Sequence, residues 1–323
     1  MKPETLFGFP IIEEPIVPHM GAYIEFGPPL LAPELLWVLG APDPEMAAIE
    51  TVLRECNQRV AYATLAGERV RPDTAYKADG TTLPLDKYHV VFVECCGQTL
   101  GRIARHGAHR IDHHRPGDPG YGKPPAEFLA ASSIGQVLVL LAKIGCLDAW
   151  PGVDAPEGRR AVVVPQELVF TAAADHCLAA AYRGECPGVD PDALMRWRAE
   201  SRAAFQGRTI EAVLADVEAA RLALAGAHSI CCAAHDCSAN DDHDEWVADL
   251  RGQEIPELPE AAARYFYAYL ATPHVRPGER VKVVLGGHAT PEVVAAFLRG
   301  ELCPELVDRY GDPARGFAGG YVP

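Results

Sequence analysis

Residues 35–45 read LLWVLGAPDPE, and this stretch decides the class of fold. Its first five residues are all apolar, which is typical of a strand that is buried on both faces. The glycine and prolines at 40–44 end the strand, and residues 46–56 then have the apolar spacing of an amphipathic helix. A buried strand that leads directly into a helix predicts an α/β fold.

The same alternation continues along the chain. We predict further strands at residues 60–65, 88–93 and 162–164, a short strand within 103–111, and helices at 126–144 and 167–182. Strands that alternate with helices favour a mostly parallel sheet with helices on both faces. In such sheets, ligands bind just beyond the carboxyl ends of the strands.

The length of 323 residues suggests two domains. We predict an irregular N-terminal arm at residues 1–34, a first α/β domain at 35–190, a helical connector at 191–225 and a smaller α/β C-terminal domain at 226–323. Within the last of these we predict a helix at 259–271, a strand at 281–285 and a helix at 291–299. The glycine-rich tail at 310–321 is expected either to cap a site or to be mobile.

Composition narrows the class of protein. The formal net charge of −15 argues against long nucleic acids as partners, because their binding relies on many Lys and Arg side chains. No apolar run reaches the roughly 18 residues of a membrane span, and the first residues do not form a signal peptide. We therefore expect a cytoplasmic protein with reduced cysteines and no membrane partner. A homo-oligomer remains open.

One segment reverses the acidic balance of the chain. Residues 101–115, GRIARHGAHRIDHHR, contain four arginines, four histidines and a single carboxylate. Asp112, His113 and His114 are ligand types for a divalent cation, and the neighbouring arginines could hold phosphate oxygens. This pattern suggests a small phosphorylated substrate beside a metal. A solvated polar turn is the alternative, although the arginines would then repel one another without an anion.

Other acidic residues fall at strand ends or in an apolar helix. Asp43 follows the first strand, Glu94 follows the strand at 88–93, and Asp175 interrupts an Ala-rich helix. A buried carboxylate needs a cationic partner or a metal.

Simpler explanations of these acidic residues stay open. Asp43 and Glu45 could start the next helix, where carboxylates are favourable. Glu94 could be a solvated loop acid, and an arginine could be the partner of Asp175.

In this order, the residues resemble the motifs of the DHH phosphoesterase superfamily, which is named for its Asp-His-His tripeptide. The first motif of that family reads roughly His-x-x-Pro-Asp-x-Asp, and residues 39–45 read LGAPDPE. Leu39 therefore replaces the His, and Glu45 replaces the final Asp. The second motif is an Asp at a strand end, where this chain has Glu94. The third is the tripeptide at 112–114, and Asp175 is the candidate for the fourth. The resemblance covers about residues 35–185.

The resemblance implies a site for one or two divalent cations, usually Mn²⁺, with Mg²⁺ or Zn²⁺ as alternatives. The implied ligands are Asp43, Glu45, Glu94, Asp112, His113 and Asp175. His114, with Arg110 or Arg115, would contact the phosphate and neutralise developing charge. The implied activity is hydrolysis of a small phosphodiester, phosphomonoester or pyrophosphate, such as a nucleotide, by a metal-activated hydroxide. Because Leu39 replaces the His, a catalytically degenerate protein that binds a nucleotide or a partner is the alternative.

Two further stretches carry ligand-type residues. The turn Gly286-Gly287-His288 resembles the substrate-binding turn in the second domain of many DHH proteins, and we expect it, together with His176, to bind substrate. An ordinary strand–helix turn is the alternative. Cys232, His235 and Cys237 have the chemistry of zinc ligands, but their spacing matches no common zinc module. A buried or unpaired cysteine segment is the alternative there.

Overall fold

A computed structural model describes residues 5–6, 9–10, 23–26, 34–104, 108–147, 152–154, 160–231, 246–275 and 280–323. Its internal contacts divide the chain into two units. The first comprises Met1–His176 with Cys186–Val189, and the second comprises Cys177–Glu185 with Asp190–Pro323. The predicted helical connector, residues 191–225, belongs to the second unit.

The first unit alternates strands with helices. Its strands are β1 (Thr5–Leu6), β2 (Phe9–Pro10), β3 (Tyr23–Phe26), β4 (Leu35–Leu39), β5 (Arg59–Leu65), β6 (Glu68–Arg69), β7 (Gly80–Thr81), β8 (His89–Val93), β9 (Ala108–Ile111), β10 (Gly152–Asp154) and β11 (Arg160–Val163). Its helices are α1 (Pro44–Glu55), α2 (Gln98–Ile103), α3 (Phe128–Ala131), α4 (Ser133–Lys143) and the first part of α5 (Gln166–Tyr182).

The main sheet of the first unit has the strand order β6-β5-β4-β8-β9, and β7 also pairs with β5. Strands β5, β4, β8 and β9 are parallel, whereas β6 and β7 are antiparallel to β5. A separate antiparallel sheet has the order β10-β11-β3. The apolar runs predict β4 and β8 well because both strands are buried from their second residue onward.

The helix predicted at residues 126–144 is broken in the structure. A 3-10 turn at Pro125–Glu127 leads into α3, and α4 begins after Ser132. Ser132 has extended backbone (ψ 155°), and its hydroxyl accepts a hydrogen bond from the amide of Gly135 at 3.1 Å. This cap gives α4 its own N-terminus. Helix α5 is likewise interrupted at Cys177, whose φ of −158° is not helical.

The second unit contains a mixed sheet and its helices. The strands are β12 (Ser229–Cys231), β13 (Trp246–Asp249), β14 (Ala268–Ala271), β15 (Lys282–Gly287), β16 (Val307–Asp312) and β17 (Phe317–Tyr321). The helices are α6 (Pro191–Gln206), α7 (Ile210–Gly226), α8 (Leu258–Arg264) and α9 (Pro291–Arg299). The sheet order is β12-β13-β14-β15-β17-β16, in which β13 and β14 are parallel and the remaining pairs are antiparallel.

The chain is therefore α/β with mixed sheets, and the expectation of a mostly parallel sheet does not extend to the second unit. The helix predicted at residues 259–271 ends at Arg264, and the apolar residues 268–271 form β14 instead. Short apolar runs suit either a helix or a buried strand, so periodicity could not separate them. The glycine-rich tail forms part of the sheet, because it includes the end of β16 and all of β17.

Among the residues that the structure describes, no single helix is long and apolar enough to cross a membrane. One bent pair, residues 125–131 and 133–143 at 53° to each other, reaches the necessary length and composition when the two helices are counted together.

Candidate metal centre

The site lies at the carboxyl ends of the parallel strands in the first unit. Because β4, β8 and β9 run in the same direction, the residues that follow them meet at one edge of the sheet. Glu94 follows β8 with a φ of +53°, a left-handed conformation that is strained for a non-glycine residue. Its backbone passes so close to Gly40 that a Cβ atom there would lie 2.7 Å from the Glu94 oxygen. Gly40 therefore permits the position of Glu94.

The imidazole of His113 is the centre of the cluster. His113 is fully buried, and its Nε2 atom lies 3.0 Å from Oδ2 of Asp175, 3.6 Å from Oε1 of Glu94 and 4.0 Å from Oε2 of Glu45. The ligand atoms of Glu94, His113, His114 and Asp175 all lie within 4.8 Å of one another. One edge of the sheet and the helices α1 and α5 thus bring together two imidazoles and several carboxylate oxygens.

Glu45 is oriented by a neighbouring helix. It is almost fully buried, and its Oε1 atom accepts a hydrogen bond of 2.9 Å from the amide of Ile134 in the first turn of α4. The positive end of that helix favours a carboxylate. The other oxygen, Oε2, faces His113, so Glu45 combines a structural contact with a ligand position.

Two carboxylates of the cluster each have a buried oxygen without a hydrogen-bond donor in the part of the chain that the structure describes. Among the described residues, no donor reaches the buried atoms Oε2 of Glu45 and Oε1 of Glu94. Burial raises the pKa of Glu45 well above its usual value, and the charges of Asp175 and Glu94 raise it further. Burial also raises the pKa of Glu94 to about 7. Buried carboxylate oxygens around an imidazole nitrogen fit a divalent cation such as Mn²⁺, which takes both carboxylate and imidazole ligands.

Asp43 has two roles open to it. Its Oδ1 atom accepts a hydrogen bond of 2.7 Å from the amide of Met46, so it is the N-cap of α1, as the simpler sequence explanation expected. Burial raises the pKa of Asp43 to about 6, and the charge of Asp175 contributes to this. The carboxylate of Asp43 therefore interacts electrostatically with Asp175 of the cluster. Asp43 is not one of the residues whose ligand atoms meet within 4.8 Å.

Asp112 is not among the residues whose ligand atoms meet within 4.8 Å. It is fully buried, and its Oδ1 atom accepts hydrogen bonds from the amides of His113 and His114 at 2.8 and 3.1 Å and from Nδ1 of His114 at 3.0 Å. The hydroxyl of Tyr76 donates to the same carboxylate at 3.0 Å. These bonds hold the imidazole of His114 in place, and the predicted ligand role of Asp112 stays a prediction.

His114 and Asp112 also stabilise each other's charge. Burial alone would lower the pKa of His114, but Asp112, Glu94 and Asp175 outweigh burial and raise it to about 9. Burial alone would raise the pKa of Asp112, but the hydrogen bonds from His114 and Tyr76 bring it below its usual value. In the absence of a metal, a cationic His114 therefore offsets part of the negative charge of the cluster.

The two arginines assigned to phosphate binding have protein partners. Nη1 of Arg110 lies 2.5 Å from Oδ1 of Asp118, which is a buried carboxylate. The guanidinium of Arg115 stacks on the ring of Tyr76, 3.2 Å from its centroid, and its amide donates to Asp118 at 2.7 Å. The expectation that these arginines need an external anion was incomplete, because Asp118 follows the basic segment and supplies an internal one.

Both His176 and the turn at 286–288 contact other groups of their own unit, and their expected role in substrate binding stays a prediction. His176 is buried, and its Nδ1 atom lies 2.9 Å from Nδ1 of His113. His288, in the second unit, contacts the Ala263 carbonyl oxygen at 2.7 Å and Nη1 of Arg183 at 2.8 Å. Gly287 has a φ of +77°, and a Cβ there would lie 2.0 Å from the Tyr267 oxygen, so the turn itself requires glycine.

Cys232, His235 and Cys237 lie outside the described residues, so zinc binding there stays a hypothesis. Tyr76 and Asp118 were not singled out from the sequence. Tyr76 contacts Asp112, which lies 36 residues away in the sequence, so no local pattern links the two. Asp118 is an acidic residue that follows a basic segment, and its pairing with Arg110 has no sequence motif.

Comparisons of this chain with protein-family models, with curated proteins and with solved structures found no match. The site is therefore interpreted from its own geometry.

Proposed function

We propose that the chain is a metal-dependent hydrolase of a small phosphate compound and a divergent relative of the DHH phosphoesterases. The observation that carries the proposal is the position of His113 Nε2, which has oxygens of Asp175, Glu94 and Glu45 within 4.0 Å. Mutual repulsion among buried carboxylates is expensive unless a cation offsets it. Such an arrangement is expected where a metal binds, and it is difficult to explain as a device for stability.

The proposed ligands of the metal are His113, Glu45, Glu94 and Asp175, with His114 and Asp43 next to them. A bound divalent cation would supply Lewis-acid stabilisation of a phosphoryl oxygen and would acidify water. Asp112 holds the imidazole of His114 by its Nδ1 atom, and a ring nitrogen of His114 lies within 4.8 Å of the other ligand atoms. A protonated His114 would donate a hydrogen bond to a substrate oxygen and offset its charge.

The arginines contribute positive charge at the same edge of the sheet. Arg115 is held in place by the ring of Tyr76, and Arg110 is held by Asp118. Arg110 keeps 44% of its side chain exposed, so an anionic substrate can reach its guanidinium. A small phosphorylated molecule fits these features better than a long polyanion, because the chain as a whole is acidic. The cytoplasm remains the expected location.

Hydrolysis assays test this proposal. Nucleotides, dinucleotides and pyrophosphate are incubated with the protein in EDTA, in Mn²⁺ and in Mg²⁺, and phosphate release is measured. We expect metal-dependent release from at least one substrate class and its loss in Asp175→Asn. Failure of every substrate in every metal, together with no metal binding by calorimetry, would falsify the proposal.

The rival is a degenerate relative that binds a nucleotide or a partner without turnover. The observation in its favour is Leu39, which replaces the motif His and is fully buried in β4. The variant Leu39→His separates the two. If the wild type is inactive only because that ligand is missing, the variant should gain metal-dependent turnover. If the wild type is an active hydrolase, the variant should be no faster, because a buried leucine has been replaced by a polar ring.

A further inference from the structure

His176 is a buried histidine for which the proposed function has no role. Only 2% of it is exposed. It ends the first part of α5, immediately before the break at Cys177. Its ring contacts His113 on one side and the backbone of Lys123 on the other.

The contact with Lys123 fixes the proton on the ring of His176. Its Nε2 atom lies 3.3 Å from the carbonyl oxygen of Lys123. A carbonyl oxygen can only accept a hydrogen bond, so Nε2 must carry the proton. In a neutral imidazole the other nitrogen is then an acceptor, and Nδ1 of His176 therefore has a lone pair that points toward His113.

The proton on His113 follows from this. The Nδ1 atoms of His113 and His176 are 2.9 Å apart, and one of them must donate. Because His176 accepts there, Nδ1 of His113 carries a proton. A neutral His113 then has its lone pair on Nε2, the atom that faces the oxygens of Asp175, Glu94 and Glu45. A lone pair among carboxylate oxygens is repulsive in itself and favourable when a cation lies between them.

We propose that His176 is a positioning residue that holds His113 in the tautomer able to bind a metal through Nε2. This inference rests on the proposed metal site. Carboxylates and carbonyls commonly fix ligating histidines in this manner, and their loss costs about 10–100-fold in metal affinity. Here a second imidazole relays the effect of the Lys123 carbonyl to His113.

Two substitutions of His176 distinguish the effect of its hydrogen-bond acceptor from the effect of its size. In His176→Asn, the amide oxygen can occupy the position of Nδ1 and still accept from His113. In His176→Leu, an apolar side chain of similar size accepts nothing. We expect the affinity for Mn²⁺, measured by calorimetry on the full chain, to fall about 10–100-fold in the Leu variant and only a few-fold in the Asn variant. His89→Leu is the control, because His89 is exposed at the opposite end of β8 from Glu94.

The proton order itself is measured without metal. Nitrogen-15 NMR of histidine-labelled protein in EDTA should show Nδ1 of His113 protonated and Nδ1 of His176 unprotonated. The reverse order requires a doubly protonated His176 inside the protein, and finding it would overturn the inference. Equal Mn²⁺ affinities in the Leu and Asn variants would overturn it as well.

The two proposals fail in different ways. If the expected proton order is found but Mn²⁺ does not bind to the wild type, the proposed function is wrong. His176 then still fixes the tautomer of His113, but that tautomer does not serve a metal site. If Mn²⁺ binds and His176→Leu binds it as tightly as the wild type, while circular dichroism shows an intact fold, the role given to His176 is wrong and the metal site stands.

Discussion

Oε1 of Glu45 accepts a hydrogen bond of 2.9 Å from the amide of Ile134, across 89 residues of sequence. This bond joins the first turn of α1 to the first turn of α4 and fixes the plane of the carboxylate. The other oxygen is thereby aimed at His113. One carboxylate of Glu45 thus contacts both α4 and the cluster.

Substitution Glu45→Gln should therefore separate stability from metal binding. The amide oxygen of glutamine can still accept from Ile134, but the negative charge beside His113 disappears. We expect Mn²⁺ affinity to fall at least 10-fold, and the metal-free protein to become more stable by about 1–3 kcal/mol because folding no longer has to bury or protonate this carboxylate. Calorimetry with Mn²⁺ and chemical unfolding in EDTA measure the two effects.

The matched control for that variant is Glu50→Gln on the same helix. Glu50 pairs with Arg54 at 2.6 Å and accepts a hydrogen bond from Tyr62, so its carboxylate has partners outside the cluster. We expect its Mn²⁺ affinity to equal that of the wild type. A similar loss of affinity in both variants would mean that α1 as a whole, rather than Glu45, controls the site.

The stability of the metal-free protein should fall as the pH rises. Burial raises the pKa of Asp43 from 3.8 to about 6 and that of Glu94 from 4.5 to about 7. A carboxyl group with a raised pKa contributes stability that is complete below its unfolded value and is lost as the pH rises through its folded value. His114, whose pKa is raised to about 9, contributes stability that is lost in the same direction at higher pH.

Thermal unfolding in EDTA between pH 4.5 and 8 tests this dependence. We expect the unfolding midpoint to decrease across that range, most steeply between about pH 5 and 7. Saturating Mn²⁺ should raise the midpoint more at pH 7.5 than at pH 5, because the ligands must be deprotonated to bind. A midpoint in EDTA that rises with pH would contradict the description of the cluster.

The contact between Tyr76 and Asp112 should matter for turnover more than for metal binding. Tyr76→Phe removes the hydroxyl that donates to Asp112 at 3.0 Å, which loosens the carboxylate that orients His114. We expect kcat to fall about 10-fold, in line with other losses beside a metal site, while Mn²⁺ affinity stays within a few-fold of the wild type. Tyr62→Phe is the control, because it also deletes a hydrogen bond to a carboxylate but at Glu50. Equal effects of the two substitutions would contradict the role of Tyr76.

The close approach of Gly40 to Glu94 predicts a sensitive position. In Gly40→Ala the new Cβ would lie 2.7 Å from the Glu94 oxygen and 3.1 Å from the Val93 oxygen, both of them backbone atoms. We expect a loss of about 1–3 kcal/mol in stability, with weaker metal binding because Glu94 is displaced. Gly226→Ala is the control, since nothing lies within 4 Å of a Cβ there. Chemical unfolding of both variants checks the difference, and equal stabilities would contradict the account of this turn.

The sequence predicts those parts of the fold that depend on local pattern. Strands β4 and β8 follow from uninterrupted apolar runs, and α9 follows from its apolar spacing, with Thr290 as its N-cap. The break at Ser132 is not predicted, because the apolar pattern continues on both sides of it and one serine does not by itself mark the start of a new helix. The strand at 268–271 is missed for a related reason: four apolar residues have no periodicity that excludes a helix.

For the site, the sequence indicates which residues lie near one another but not what each atom does. The ends of parallel strands share one edge, so Glu94 and the tripeptide at 112–114 were expected to be neighbours. The sequence could not indicate that the Asp112 carboxylate turns toward His114 and Tyr76, because that depends on side-chain direction. The contact between His113 and His176 links residues 63 positions apart, and no spacing rule anticipates it.

The most direct test of the central claim is the anomalous scattering of Mn²⁺ in crystals of the full chain. The account predicts an anomalous peak within about 2.0–2.6 Å of His113 Nε2 and of carboxylate oxygens from Glu94, Asp175 and Glu45. Full Mn²⁺ occupancy elsewhere in the molecule with no peak beside His113, or no bound metal at millimolar Mn²⁺, would contradict it.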